Sequence, residues 1–295
     1  CSRPEAIKAF AAVLSAAAAS LLMEMVQNGL PSRVPSNVDL AFNTLGAAAG
    51  AVLGALMHVV GLLDRWQRLR DRWFVPQSAG GLTLLVLWPI GLLFPSALPF
   101  GVGQVLSRLQ DTLAGWLDQT PLAEWSRNIL EAQWFGPGLP PAGEFCAIAL
   151  GLIAPSLLAF TVCRSGWRRS VIALGVAGAG VGATTLSTAL NFGPDHATAW
   201  LSSTAVAGLG AGALASLLLA WVPRRASAAL GLMALTALVS LISQASEDVY
   251  FAQSLQAWEQ GRFIRFHGAA QWVGWLWPYA AMAYLLGRIA ARDED

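Results

Sequence analysis

Long stretches of this chain are almost continuously apolar, and short polar segments separate them. Each stretch is close to the ~20 residues that a helix needs to cross a bilayer. Uninterrupted apolarity over that length favours helices, because a helix satisfies its own backbone hydrogen bonds in lipid. The pattern predicts eight such helices, at about residues 6–27, 40–62, 79–97, 144–163, 170–190, 199–221, 226–244 and 269–288. We therefore expect an all-α fold, a polytopic bundle of transmembrane helices.

Prolines interrupt three of the predicted spans. They lie in the third, fourth and eighth spans, where each should kink its helix because proline lacks a backbone donor. The prolines concerned are Pro89, Pro95, Pro155 and Pro278.

Two segments between the spans have apolar side chains at helical spacing with polar ones opposite, within residues 103–135 and 245–261. This pattern predicts amphipathic helices on the outer face of the bundle. They either lie in the plane of the membrane interface or pack as a cap on the outer ends of the spans.

Composition supports a membrane protein. Hydrophobic residues make up 56% of the 295 residues and charged residues only 12%, whereas soluble domains carry about 25% charged residues. The net charge of +1 gives no basis for nucleic-acid binding.

The basic residues define an orientation. Thirteen of the 18 lysines and arginines fall in one set of alternate loops and at the termini, and five fall in the other set. Because basic residues are retained on the cytoplasmic side, both termini should be cytoplasmic, and residues 98–143 and 245–268 should be outside. Lys8 is the only lysine among the basic residues, which suggests a GC-rich bacterial genome, so we expect the inner membrane of a bacterium.

Catalytic and metal-binding motifs are absent from the sequence. Cys146 and Cys163 are 17 positions apart on one predicted helix, roughly 25 Å and too far for a disulfide. Asn191, Asp195 and His196 fall in a short predicted outer loop and are better read as solvated residues than as metal ligands. The sequence thus predicts no catalytic residue, no metal and no cofactor.

The turn between the first two spans, EMVQNGLPSRVPSNVDLAFN, is unusually polar. We expect its polar side chains to gather at the outer membrane surface, because they follow one face of each flanking helix. These residues are Glu24, Gln27, Arg33, Asp39 and Asn43. They either hold the hairpin together by pairing with one another, or bind a ligand with Arg33 as the anion contact.

Glycines continue the same stripe along the second span. Gly46, Gly50 and Gly54 recur every four residues, and this small-residue spacing predicts close helix packing. The expected partner is the first span, which carries Ser20 on the facing stripe.

The order E-x-x-Q, then Pro-Ser-Arg, then D-x-x-x-N-x-x-G-x-x-x-G resembles the VanZ-like family of bacterial membrane proteins. The resemblance covers only about residues 10–63. It implies a VanZ-like hairpin over residues 1–63, preceded by two further spans that this sequence lacks, and a role in the bacterial envelope. Residues 64–295, with six further spans, are not part of the usual family pattern.

These patterns lead to two functional expectations. The first is an integral inner-membrane protein whose outer polar cluster binds an anionic lipid-linked envelope precursor or a glycopeptide-related ligand. The second is a structural or accessory subunit of a larger membrane complex. Membrane lipids are partners in both, and other membrane subunits in the second. An enzyme is the weaker third possibility, since no nucleophile or metal site is evident.

Overall fold

The computed structural model describes residues 3–27, 37–94, 96, 98–105, 109, 113, 115–117, 120, 124, 139–245 and 269–290. Every long regular element in this part of the chain is a helix, so the all-α prediction is confirmed there. The helices are α1 (Arg3–Gln27), α2 (Asn37–Val59), α3 (Leu62–Trp73), α4 (Ala79–Gly91), α5 (Pro141–Val162), α6 (Trp167–Phe192), α7 (Ser203–Leu219), α8 (Arg224–Ile242) and α9 (Ala269–Ala290).

Each predicted span contains one of these helices, and α3 is an additional helix where a loop was expected. Four helical stretches are long and apolar enough to cross a membrane: Leu40–Val59, Pro141–Val162, Trp167–Phe192 and Arg224–Ile242. Three apolar stretches are shorter, Phe10–Met23, Ala79–Gly91 and Ser203–Leu219. The predicted amphipathic segments 103–135 and 245–261 lie largely outside the described residues.

The chain divides into two compact units, residues 1–72 and 73–295. In the first unit, α1 and α2 pack as a hairpin. The least exposed positions of both helices carry mostly small side chains, which let the two backbones approach. These positions are Val13, Ala16, Ala17 and Ser20 on α1, and Leu40, Thr44, Ala47, Ala48, Ala51 and Ala55 on α2.

Helix α5 forms the centre of the second unit. It packs against α4, α6, α7 and α8, and residues such as Ile148, Leu152, Leu158 and Phe160 are almost completely buried. A helix that is apolar on all sides is expected in the interior of a bundle. The nearly uninterrupted apolar sequence of α5 therefore accounts for its central place.

Helix α4 is shorter than predicted. The third span was expected to run to residue 97, but the helix ends at Gly91. A proline disfavours helical geometry at the residue before it, so Pro99 prevents a new helix from forming through Leu98. The chain instead turns back into the unit, where Phe100 is 1% exposed and Val102 is 3% exposed.

We name residues 98–103 the re-entrant loop. Phe100 fits a notch made by two glycines, Gly151 of α5 and Gly180 of α6. A Cβ added at Gly151 would lie 2.8 Å from the Phe100 Cβ. A Cβ added at Gly180 would overlap the Phe100 ring. Both glycines lie near the middle of their helices. The loop therefore packs against the middle of α5 and α6, and the expectation that residues 98–143 lie outside the membrane stays a prediction.

A proline explains how the loop is held. Pro278 lies inside α9 and has no N–H to give to the carbonyl of Gly274, one turn before it. The backbone N–H of Gly103 donates to that carbonyl at 3.0 Å. The Gly274 carbonyl, which lacks the usual donor one turn later because position 278 is proline, thus receives a hydrogen bond from the re-entrant loop.

Candidate functional site

The polar stripes predicted on α1 and α2 meet at one hydrogen bond. The side-chain amide of Asn43 donates to the hydroxyl of Ser20 at 2.9 Å. Ser20 is 8% exposed, whereas its apolar neighbours Leu21 and Leu22 are exposed. A side-chain hydrogen bond between two largely apolar helices determines which faces of the two helices contact each other.

The other residues of the predicted cluster follow from this bond by helical spacing. Glu24 is one turn beyond Ser20, and Asp39 is one turn before Asn43. Helical spacing therefore predicts that both lie on the same edge of the hairpin as the Ser20–Asn43 bond, towards the turn. The side chains of Glu24, Gln27 and Asp39, and the whole of Arg33, lie outside the described residues, so their mutual contacts remain a prediction.

The glycine stripe of α2 does not face α1 in the described part of the hairpin. A Cβ at Gly46, Gly50 or Gly54 would have no described atom within 4 Å. Alanines such as Ala47 and Ala51 form the half-buried side of α2 instead. A packing role for the glycine stripe remains a prediction that needs a partner other than the facing side of α1.

A second polar group, which sequence reasoning missed, lies in the second unit. The Ser187 hydroxyl donates to the carbonyl of Leu93 at 2.8 Å, and the Asn191 amide donates to the Ser187 carbonyl at 2.8 Å. We expected Asn191 in a solvated loop, but α6 extends to Phe192 and buries it to 4% exposure. The helical spacing of Thr184, Ser187 and Asn191 could have predicted that Asn191 belongs to the same helix.

These side chains donate hydrogen bonds to the non-helical segment that follows α4. A helix end leaves carbonyls without intrahelical donors, and such groups are costly inside a membrane. Ser187 satisfies the Leu93 carbonyl, which lies just beyond the end of α4. Within the described residues, three buried polar atoms nearby have no hydrogen-bond partner: Trp88 Nε1, Thr184 Oγ1 and Asn191 Oδ1.

The tip of the re-entrant loop is strained and aromatic. Phe100 has a φ of 65°, an unusual value for a residue with a side chain. Its ring lies 5.9 Å from that of Trp88 and 6.1 Å from that of Trp200, between ring centroids. The arrangement offers aromatic surface but no nucleophile or acid–base pair, so packing of the bundle is its immediate role.

A buried arginine lies at the opposite end of α6. Arg169 is 2% exposed, and its guanidinium donates to the carbonyls of Ala220 at 3.3 Å and Val222 at 2.5 Å. These carbonyls follow the end of α7, where unpaired acceptors and the helix dipole favour a cation. Arg169 therefore joins α6 to the α7–α8 turn and has a structural role.

Cysteine and metal chemistry find no support in the described residues. Cys163 follows the last residue of α5 and is a buried free thiol. No group of three or more His, Cys, Asp or Glu side chains suited to a metal occurs among the residues described.

Comparison with known proteins adds no family to these observations. A scan against protein-family models found no match, and searches of curated proteins and of solved structures also found none.

Proposed function

We propose that this chain is an integral membrane protein whose α1–α2 hairpin binds an anionic lipid-linked ligand at its outer end. The ligand-binding residues are Glu24, Gln27, Arg33, Asp39 and Asn43. The single observation that carries the proposal is the Ser20–Asn43 hydrogen bond. It supports the proposal because it aligns the two polar stripes on which Glu24 and Asp39 lie.

An anionic group is favoured because Arg33 is the one cation in the turn. A guanidinium can make a bidentate pair with a phosphate, and Glu24 and Asp39 can orient it or accept hydroxyl donors from a sugar. A lipid-linked ligand is favoured because the cluster follows directly on apolar helix faces, with Leu21, Met23 and Met25 exposed around Glu24. A polyprenyl phosphate or its glycosylated forms would meet both requirements.

We further propose eight spans in a bacterial inner membrane, with both termini cytoplasmic. Four long apolar helices and three shorter ones support this count, as does α9 with its exposed Trp272 and Leu286. Large apolar side chains also cover the outside of the second unit, among them Leu174, Leu218 and Met233. Such a surface suits lipid rather than water. The resemblance of residues 10–63 to VanZ-like proteins supports a proposed role in the cell envelope.

The test is lipid retention by the purified protein. Arg33→Gln should abolish retention of added polyprenyl phosphate, measured by native mass spectrometry, while the unfolding temperature stays close to that of the parent. Arg33→Lys should retain part of the binding, because the charge remains but the bidentate geometry is lost. Arg127→Gln, at another position expected outside, serves as the matched control and should bind normally.

A structural role for the cluster would give a different result. If Arg33 and Glu24 form a buried pair, Arg33→Gln should cost about 3–5 kcal/mol of stability because it leaves an unpaired charge. Adding Glu24→Gln should then restore part of that loss. Restored stability in the double variant, together with unchanged lipid retention in Arg33→Gln, would overturn the ligand proposal.

The second candidate function is an accessory subunit of a membrane complex. It is favoured because a Cβ at Gly46, Gly50 or Gly54 would meet no described atom within 4 Å, and a stripe of glycines allows another helix to approach closely. Gly50→Leu should then release a stoichiometric partner, detected by native mass in mild detergent, while the hairpin still folds. The matched variant Ala51→Leu changes the half-buried side of α2 and should instead weaken the hairpin itself.

A further inference from the structure

Helix α3 is short, charged and set apart from α2 by a sharp turn. It runs from Leu62 to Trp73, ~18 Å at the rise of a helix and well below the ~30 Å of a bilayer core. Gly61, with a φ of 69°, breaks the chain direction immediately before it, a backbone conformation that glycine adopts without strain. Helix α3 is thus a separate element that cannot cross a membrane.

The two faces of α3 differ strongly. Leu62, Trp66, Leu69 and Trp73 recur at spacings of four, three and four and form one apolar face. This face is open: Trp66 is 51% exposed and Leu69 is 48% exposed. No residue of α3 is fully buried.

The charges of α3 are ordered around that face. Arg65, Arg68 and Arg72 follow one another at spacings of three and four along one flank, and Arg70 lies on the other flank. Asp64 and Asp71 share the side roughly opposite the apolar face, from the 100° rotation per residue. The cations therefore border the apolar face, and the carboxylates point away from it.

The ends of α3 are tied to helices that can cross a membrane. Its start follows the end of Leu40–Val59 by two residues. At its other end, the Trp73 carbonyl accepts a hydrogen bond from the Arg164 N–H at 2.9 Å, just beyond the end of α5. The Trp73 and Trp167 rings meet edge to face at 5.2 Å between centroids, at the start of α6. Each end of α3 thus adjoins the end of a candidate span.

We propose that α3 lies in the membrane interface, with its apolar face among acyl chains and its flanking arginines bound to anionic phospholipid headgroups. Long basic side chains can extend from the apolar boundary towards headgroup phosphates while their methylenes remain in contact with lipid. The outward aspartates keep negative charge away from the anionic surface. The residues of this surface are separate from the Arg33 cluster, so either binding test can fail without the other, although both proposals require that α2 crosses the membrane.

The experiment measures which lipids surround α3. A bimane probe is attached to Leu69→Cys in the full chain, with Cys1, Cys146 and Cys163 replaced by alanine, in vesicles of phosphatidylcholine and phosphatidylglycerol in equal amounts. Quenching by spin-labelled phosphatidylglycerol should exceed quenching by spin-labelled phosphatidylcholine. High salt should reduce the excess, because surface electrostatics are screened. A probe at Asp71→Cys should be quenched little by either lipid.

Paired charge removals test the arginines. The double variant Arg65→Gln and Arg72→Gln should reduce the preference for phosphatidylglycerol, by roughly fivefold for each arginine removed. The matched double variant Arg224→Gln and Arg225→Gln removes the same charge from the start of α8 and should leave the preference unchanged. Should the first double variant not fold, Arg68→Gln alone should give the single fivefold loss.

Three results would overturn the proposal. Equal quenching by the two lipids in the parent would mean that α3 has no preference for anionic headgroups. Absence of quenching at position 69 would mean that protein, rather than lipid, covers the apolar face. Equal losses in the two double variants would assign the effect to overall charge and not to α3.

Discussion

At the scale of single residues, the fit of Phe100 into its glycine notch is the most demanding contact in the second unit. A Cβ at Gly180 would overlap the Phe100 ring and lie 2.6 Å from the Trp88 ring. Both rings are themselves almost completely buried, so neither has free space to move into. Position 180 therefore requires glycine because the two rings lie too close for a side chain. The backbone of α6 has no unusual dihedral angle at this position.

We predict that Gly180→Ala lowers the free energy of unfolding by about 1–3 kcal/mol through overpacking. Gly182→Ala on the same helix is the control, since an added Cβ there meets no described atom within 4 Å. In a Phe100→Ala background, the cost of Gly180→Ala should become smaller because the clashing ring is gone. Thermal unfolding in detergent measures all four variants. Equal tolerance at positions 180 and 182 would contradict the placement of Phe100.

At the scale of elements, α4 and α9 cross with their backbones in direct contact at Gly91 and Gly274. A Cβ at Gly91 would lie 2.9 Å from the Gly274 Cα, and one at Gly274 would lie 2.8 Å from the Gly91 carbonyl oxygen. Backbone cannot rotate out of the way as a side chain can. The crossing, together with the Gly103–Gly274 hydrogen bond, holds the re-entrant loop in register with α9.

Gly274→Ala should therefore push α4 and α9 apart and destabilise the second unit by about 1–3 kcal/mol. It should also increase hydrogen exchange at the Gly103 amide, whose acceptor would move. Gly287→Ala, on the same helix but with no described atom within 4 Å of the added Cβ, should leave both quantities unchanged. Wild-type exchange at Gly103 in the Gly274→Ala variant would show that the crossing does not position the loop.

The apolar pattern was sufficient to place most helices but not the re-entrant loop. Helix α5 was expected at 144–163 and lies at Pro141–Val162, because a long apolar run has one stable form in lipid. The run through residues 92–103 is also largely apolar, but Pro99 disfavours a helix there, and the path of the loop is determined by its packing against Gly151 and Gly180. Helix α3 was missed because its arginines were read only as loop charges.

The candidate site was predictable to a similar extent. The Ser20–Asn43 hydrogen bond agrees with the facing stripes expected from helical spacing, and the contacts of the other stripe residues stay a prediction. It did not distinguish the glycines of α2 from the adjacent alanines, because both are small residues at helical spacing and either can face a neighbouring helix. The position of the neighbouring helix, and not the spacing in the sequence, decides whether the glycines or the alanines of α2 form the packing face.

At the scale of the whole molecule, the account depends on which side of the membrane each turn occupies. The proposed ligand cluster requires the α1–α2 turn outside, and the proposed lipid contact of α3 requires the α2–α4 segment inside. One span, α2, separates the two. The two proposals therefore share a single topological requirement, although their ligands differ.

Cysteine accessibility tests that requirement most directly. In a background without native cysteines, a membrane-impermeant maleimide should label Ser36→Cys in intact cells, and should label Gln67→Cys only after permeabilisation. Probes at positions 110 and 255 should behave like position 36. Labelling of position 67 in intact cells, or protection of position 36, would contradict the orientation on which both the outer cluster and the inner interfacial helix depend.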